Sequence, residues 1–438
     1  MSNLMDTVLD IAELPADAIA PDALAAARLS LYDWLICGLA GVEEPLAEKL
    51  RLMVAGEGGV PVASLLGGAK VPARAAALVN GATSHALDYD DTHFAHVGHL
   101  SVGIYPAALA AGEEVDASAE DVVVAFLLGS EAAIRIGMIL GSAHYNRGFH
   151  QTATAGAFGA TVAAGRLYGL TRSQMGAALG LCATRASGLK SQFGTMGKPY
   201  NAGIAASNGI ECAKLAKLGM TSCDDGLMGD QGFIPTHSDA PGSEIAPAGA
   251  FLFGDISYKF HACCHGTHAM IEALIEVLPE IGGRMEDIAS LTLRTNPRWL
   301  KVCNIPAPQT GLEVKFSYTW LAGMVIEGRN TGAFETYCDD LSRDPALSAF
   351  AQKVEVIGDE TLTDMQAEGE LEFADGRKVA FSHDLARRPA PDALAMKLRA
   401  KAKAVLGDGV DRIAPILERL SGLSATDLGD IVRGGDDV

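Results

Sequence analysis

This chain reads as mainly α with α+β: a large all-helical domain built from both chain ends, plus an inserted smaller α+β domain. Three observations point there. Roughly the first 250 residues carry helical spacing in segments rich in Ala and Gly. After about Ala250 the texture turns to alternating, strand-like segments. Beyond Pro391 helical patterns return. At 438 residues the chain exceeds what one compact core holds. The expected domains are 1–250, 251–390 and 391–438, the last being C-terminal helices that rejoin the first.

The elements follow in order. Pro21 suits a first helical position, Leu24, Ala27, Leu31 and Leu35 recur at helical spacing, and Gly38 with Gly41 supplies a stop. Further helices are expected over 106–114, 119–141, 154–169, 172–186 and 203–218. Small side chains on most faces, as in ATAGAFGATVAAGRLYG, predict close helix-on-helix packing. Strands are expected at Ser290–Thr295 and Lys353–Gly358. Residues 367–382 alternate around Asp375-Gly376, a type I′ hairpin signal. Helices at 265–278 and 316–327 lie between these strands, and Pro389 and Pro391 close the segment.

Composition excludes several classes. The net charge of −20 offers no basic footprint for nucleic acid. The longest apolar run, Val122–Ser130, stops at Glu131, short of the roughly 20 residues a membrane span needs. The opening MSNLMDTVLDIAELP is acidic and lacks the pattern of a signal peptide, so a cytoplasmic location is expected. The eight cysteines are scattered without a CxxC pair and read as reduced thiols; Cys263 and Cys264 read as small buried residues.

Chemistry concentrates in VNGATSHALDYDDTHFAHVGH (79–99), which holds His85, His93, His96 and His99 with Asp88, Asp90 and Asp91. Such density of proton-carrying groups suggests an active site. Asp90-Asp91 could equally cap a helix. His144, Arg147 and His150 enter a Gly/Ala-rich helix, where an anion could bind. Lys198 lies between Gly197 and Pro199, at a loop or helix start. Lys259, His261, His265 and His268 form another group, and Lys315, Tyr318 and Trp320 a last one. The three-residue spacing of His93, His96 and His99 raises a zinc site, yet no HExxH is present; no P-loop, GxGxxG after a strand or GxSxG elbow occurs either.

HALDYDDT (85–92), RGFHQTATAG (147–156), GTMGKPYNAG (194–203), YKFHACCHGTHAMIEA (258–273) and LEVKFSYTW (312–320) fall in the order of the MmgE/PrpD family, which the chain resembles over nearly its whole length. The family includes 2-methylcitrate dehydratase, cis-aconitate decarboxylase and iminodisuccinate epimerase. The resemblance implies an all-helical domain, an α+β lid, a homodimer, and no metal or organic cofactor. It implies catalytic Asp88, His99, His150 and Lys198 with Thr92 binding substrate, and Arg147, His261, Lys315 and Trp320 are expected to bind substrate as well. Trp320 takes the place of the decarboxylase tyrosine, which argues against decarboxylation. Asn201 stands where relatives often carry His.

The expected function is therefore a cofactor-independent lyase or isomerase acting on a small anionic di- or tricarboxylate by proton transfer at carbon. A 2-methylcitrate dehydratase-like reaction is favoured, with iminodisuccinate epimerase-like isomerisation as the alternative. A metal-dependent hydrolase and a non-catalytic helical binding protein are the further alternatives.

Overall fold

The computed structural model describes residues 4–282 and 284–434. The first three residues of the N-terminal stretch, and the last four of the expected C-terminal helices, lie outside them. The chain forms two compact units. One runs through Tyr258 and resumes at Asp408; the other is Lys259–Gly407. These limits differ from the expected 250/251 and 390/391. In particular, the helix Pro391–Leu406 clusters with the second unit, where Lys397 Nζ reaches Glu272 at 2.6 Å.

The first unit is helical: α1 (Leu4–Glu13), α2 (Pro21–Ala40), α3 (Pro45–Glu57), α4 (Ala73–Ser84), α5 (Ser101–Val115), α6 (Ala119–Arg147), α7 (Gln151–Leu167), α8 (Arg172–Arg185) and α9 (Gly197–Lys217). A two-stranded ribbon pairs β1 (Ala63–Ser64) with β2 (Lys70–Val71). Ser118 starts α6 through a capping box with Asp121, and Thr171 starts α8 through one with Gln174.

Two helices begin earlier than expected, each with a proline inside. α5 starts at Ser101 and carries Pro106 within it, and α9 starts at Gly197 with Pro199 in its first turn. Pro199 costs no ladder bond there, because first-turn donors have no helical partner. α6 reads through the expected stop: Gly141 takes φ 63°, ψ −170°, and the helix resumes to Arg147.

By length and composition, Pro21–Glu43 and Ala119–Arg147 could each cross a membrane, contrary to the sequence expectation. Their apolar windows are 67% and 94% buried within the fold. α6 also hides a buried ion pair, Arg135 to Glu131 at 2.6 Å. Arg135 donates further to the carbonyls of Ala246, Pro247 and Ala250.

The small residues do what their pattern predicts. α4, α5, α7 and α9 form the packed centre of the unit. A Cβ on Gly81 would lie 2.8 Å from Gly203 Cα, and one on Gly203 would lie 2.2 Å from the Leu78 carbonyl oxygen. Only hydrogen fits between α4 and α9 at that crossing.

In the second unit, strands β3 (Ile288–Thr295), β4 (Val354–Gly358), β5 (Gln366–Phe373) and β6 (Lys378–Asp384) form one sheet in the order β4-β3-β5-β6. β3 runs parallel to β4 and antiparallel to β5, which runs antiparallel to β6. Leu291, Leu293, Leu371, Val379 and Phe381 are buried, and the helix His268–Ile281 packs on β5 and β6. The β5–β6 turn is not type I′, which needs positive φ at both central residues. Here Gly376 has φ 87° while Asp375 is not left-handed, and Asp375 Oδ1 instead accepts the Arg377 N–H at 2.9 Å.

Candidate active site

α4 ends at His85, and the chain then turns irregularly until α5. Asp88 takes φ 52°, a left-handed conformation that Asp tolerates, and its N–H bonds the His85 carbonyl at 3.1 Å. That turn leaves Asp88 exposed while Asp90 and Asp91 are fully buried. His99 lies two residues before α5, His150 is the N-cap of α7, and Lys198 is the second residue of α9. One helix C-terminus and three helix N-termini thus supply the site. Helix N-termini carry partial positive charge and favour anions.

Five side chains interlock there. Lys198 Nζ is 2.6 Å from Asp88 Oδ2, and His99 Nε2 is 3.7 Å from Asp88 Oδ1. His99 Nδ1 is 2.6 Å from the Asp91 carbonyl oxygen and 2.8 Å from Asp90 Oδ2. His85 Nδ1 bonds the other Asp90 oxygen at 2.8 Å. Burial alone would raise Asp90, but His85 and His99 outweigh it and hold the carboxyl well below its ordinary range. Asp90 is therefore an anion clamped between two imidazoles. Asp91 differs: burial raises it to about 7, against hydrogen bonds from Ser101, whose Oγ donates at 2.5 Å. The Asp91 carboxyl thus holds the start of α5, and of the two carboxyl groups only that of Asp90 meets the histidines.

His150 Nδ1 is 3.1 Å from Asn201 Nδ2, and its ring meets Phe193 edge-on at 5.0 Å. Burial pulls His150 down to about 2, with His85, His99 and Lys198 adding to the effect. His85 is lowered too, first by burial. Both are therefore neutral imidazoles near pH 7.

The ligand atoms of His85, Asp88, Asp90 and His99 lie within 4.8 Å of one another, a donor set a divalent cation could use. The sequence reading assigned no metal. These four groups pair with one another, and the Lys198 ammonium pairs with Asp88.

The remaining expected residues separate. His93, His96 and His99 do not share a face: His93 Nε2 goes to the Leu252 carbonyl and His96 Nδ1 to the Ala133 carbonyl. Their three-residue spacing falls in turns, where it carries no helical meaning. Thr92 is tied through its backbone to Ser257. Arg147 corrects an expectation. It ends α6 rather than opening α7, and at half exposure it pairs with Asp239 at 2.8 Å.

His261, Lys315 and Trp320 belong to the second unit. His261 bonds Thr331 at 2.7 Å and approaches Glu272 at 3.3 Å. Lys315 Nζ lies over the Phe334 and Tyr337 rings. Trp320 is a further correction: it is 4% exposed, and its indole N–H donates to the Leu341 carbonyl, so it packs the core. Tyr318 is buried as well and donates to the Gly266 carbonyl at 2.7 Å. Sequence reasoning gave no role to His85, Asp90 or Asn201. The local signal for the first two was the spacing within HALDYDD.

A helical unit that gathers carboxylates, imidazoles and one ammonium at helix ends, joined to an α+β unit, defines a recognisable two-part architecture. The chain belongs to the MmgE/PrpD family: residues 10–246 match the MmgE/PrpD N-terminal domain and residues 261–420 the C-terminal domain. It is similar to a cis-aconitate decarboxylase of Aspergillus terreus, 31% identical over 307 residues, covering 66% of this chain and 62% of that one. A second, from Aspergillus terreus strain NIH 2624 / FGSC A1156, is 33% identical over 279 residues, 60% and 57% of the two chains. The human cis-aconitate decarboxylase is 26% identical over 274 residues, 59% and 56%. The match thus spans about three-fifths of the curated relatives' length.

Proposed function

We propose that this chain is a lyase of a small di- or tricarboxylate, acting by proton transfer at carbon without a metal or organic cofactor. One observation carries the reading. His99 Nδ1 faces two acceptors, the Asp91 carbonyl and Asp90, so its proton stays on that side. Nε2 then offers a lone pair beside the Lys198–Asp88 pair. A base next to an ammonium is what carbanion chemistry requires.

In this reading Lys198 and the converging helix N-termini bind substrate carboxylates. His99 Nε2 exchanges the proton at carbon, and Asp90 stabilises the imidazolium whenever His99 holds that proton. Asp88 aligns Lys198 with His99.

Two bond cleavages fit. In dehydration, His99 removes a proton from carbon, and hydroxide leaving from the neighbouring carbon takes that proton back from His99 and departs as water. In decarboxylation, carbon dioxide leaves, its bonding pair remains on carbon, and protonated His99 supplies the proton. The motifs alone favour dehydration of a 2-methylcitrate-like substrate. The similarity to cis-aconitate decarboxylases favours loss of carbon dioxide. The Trp320 objection to it loses force, because Trp320 is committed to the core of the second unit. Incubation with a panel of di- and tricarboxylates in deuterium oxide, followed by NMR, tests the proposal. Deuterium at carbon with net loss of water or carbon dioxide is expected. Exchange without net product points to epimerisation, and no exchange with any member overturns the reading.

A further inference from the structure

The two histidines beside Lys198 meet opposite kinds of partner at Nδ1. For His99 the partners are a carbonyl oxygen and a carboxylate, which only accept. For His150 the partner is the Asn201 side-chain amide at 3.1 Å. The Leu189 carbonyl fixes which end of that amide faces His150: it lies 3.3 Å from the same Nδ2. The flipped amide would set two oxygens against each other. Asn201 therefore donates to both, His150 Nδ1 accepts, and the His150 ring proton is on Nε2.

The backbone braces this arrangement. The His150 N–H donates to the Gly188 carbonyl at 3.0 Å, next to the Leu189 carbonyl that Asn201 uses. Gly188 sits at φ 139°, and a Cβ there would lie 2.5 Å from Ala153 Cβ and 3.4 Å from the Asn201 amide. Asn201 is itself 4% exposed, one turn into α9 from Lys198.

We propose that Asn201 is a positioning residue that holds His150 as its Nε2–H tautomer, so that His150 serves as a neutral hydrogen-bond donor to a substrate oxygen while His99, in the opposite tautomer, is the base. The part His150 plays toward substrate rests on the lyase reading; the tautomer does not. A neutral N–H can stabilise a developing enolate oxygen without surrendering its proton. The two imidazoles then have fixed, unlike tasks, and Asn201 sets the difference through a group that does not titrate.

Ring-nitrogen NMR of the full chain with 15N-labelled histidine reads the tautomers directly, since the chain has only eleven histidines. His150→Gln identifies the His150 signals by their loss. The expected result is His150 as Nε2–H, with the neutral form of His99 as Nδ1–H. Asn201→Asp presents an acceptor, and should turn His150 to Nδ1–H while leaving His99 unchanged. It should also lower kcat by about a hundredfold to ten-thousandfold, with KM moving only a few-fold. A wild-type His150 in the Nδ1–H form overturns the proposal, as does a switched His150 with unchanged kcat. If no carboxylate is turned over, the switch in Asn201→Asp still supports Asn201's hold, and its absence defeats it. Should that variant not fold, Asn201→Leu takes its place. It should release His150 to a mixture of tautomers, and a single retained Nε2–H form would count against Asn201.

Discussion

Lys198 Nζ lies 2.6 Å from Asp88 Oδ2, and the Asp88 side chain is half exposed while that of Lys198 is 17% exposed. The ammonium is the sheltered partner and the carboxylate the accessible one. An incoming carboxylate can therefore reach Lys198 in competition with Asp88. Lys198→Ala should lower kcat/KM by at least about a hundredfold, the scale of losing one electrostatic stabiliser. Its thermal unfolding should stay within a degree or two, because the side chain fills no core space. Steady-state kinetics with the substrate found by NMR reads this, and near-normal turnover removes Lys198 from the mechanism.

Metal content is a second check. Protein purified without added metal should contain no stoichiometric zinc or manganese, and activity should survive chelator. One equivalent of metal per chain, with loss of activity on chelation, would reassign His85, Asp88, Asp90 and His99 as ligands and displace the proton-transfer reading.

The buried histidines make stability depend on pH. Burial lowers His85 and His268, and pulls His144 to about 4, His96 to about 3 and His150 to about 2. In the unfolded chain each titrates near 6.5. Below that pH the unfolded state binds more protons than the native state, so stability falls on acidification. Each such histidine contributes up to about 1.4 kcal/mol per pH unit. Asp91, raised to about 7, works the other way between its unfolded value and 7, and cancels about one of them. Urea unfolding at pH 7.5 and pH 5.0 should show the protein clearly weaker at the lower pH. Equal or greater stability at pH 5.0 contradicts this account.

Trp320 supplies a negative control. Trp320→Phe removes the N–H donated to the Leu341 carbonyl, which keeps the Asp344 N–H as a donor. A loss of about 0.5–1.5 kcal/mol in stability is expected, with turnover per folded molecule unchanged. A large fall in kcat without destabilisation would return Trp320 to the substrate site.

Much of the helical unit was legible because its signals are local. Ser118 and Asp121 announce the start of α6, and Thr171 and Gln174 that of α8, within four residues of sequence. The starts of α5 and α9 were not legible. Pro106 and Pro199 look like boundaries, yet packing against neighbouring helices carries each helix past its proline. The end of the second unit was missed for a related reason. Pro389 and Pro391 mark a true break, but the helix after them is claimed by Glu272, far away in sequence.

At the candidate site, the family resemblance pointed to Asp88, His99, His150 and Lys198, and the structure gathers all four with His85 and Asp90. The partners that hold Arg147 and Trp320, Asp239 and Leu341, are distant in sequence and invisible to spacing. Asn201 was visible only as a departure from relatives. Its consequence needed the position of the Leu189 carbonyl.

The crossing at Gly81 and Gly203 has a meaning for anyone who would redesign this protein. α4 delivers His85 and Asp88, α9 delivers Lys198 and Asn201, and the gauge between them is set by two absent side chains. The alignment of Asp88 and Lys198 is thus machined several residues from the pair itself, with hydrogen as the only shim. Added bulk at either glycine would detune the pair without touching a substrate.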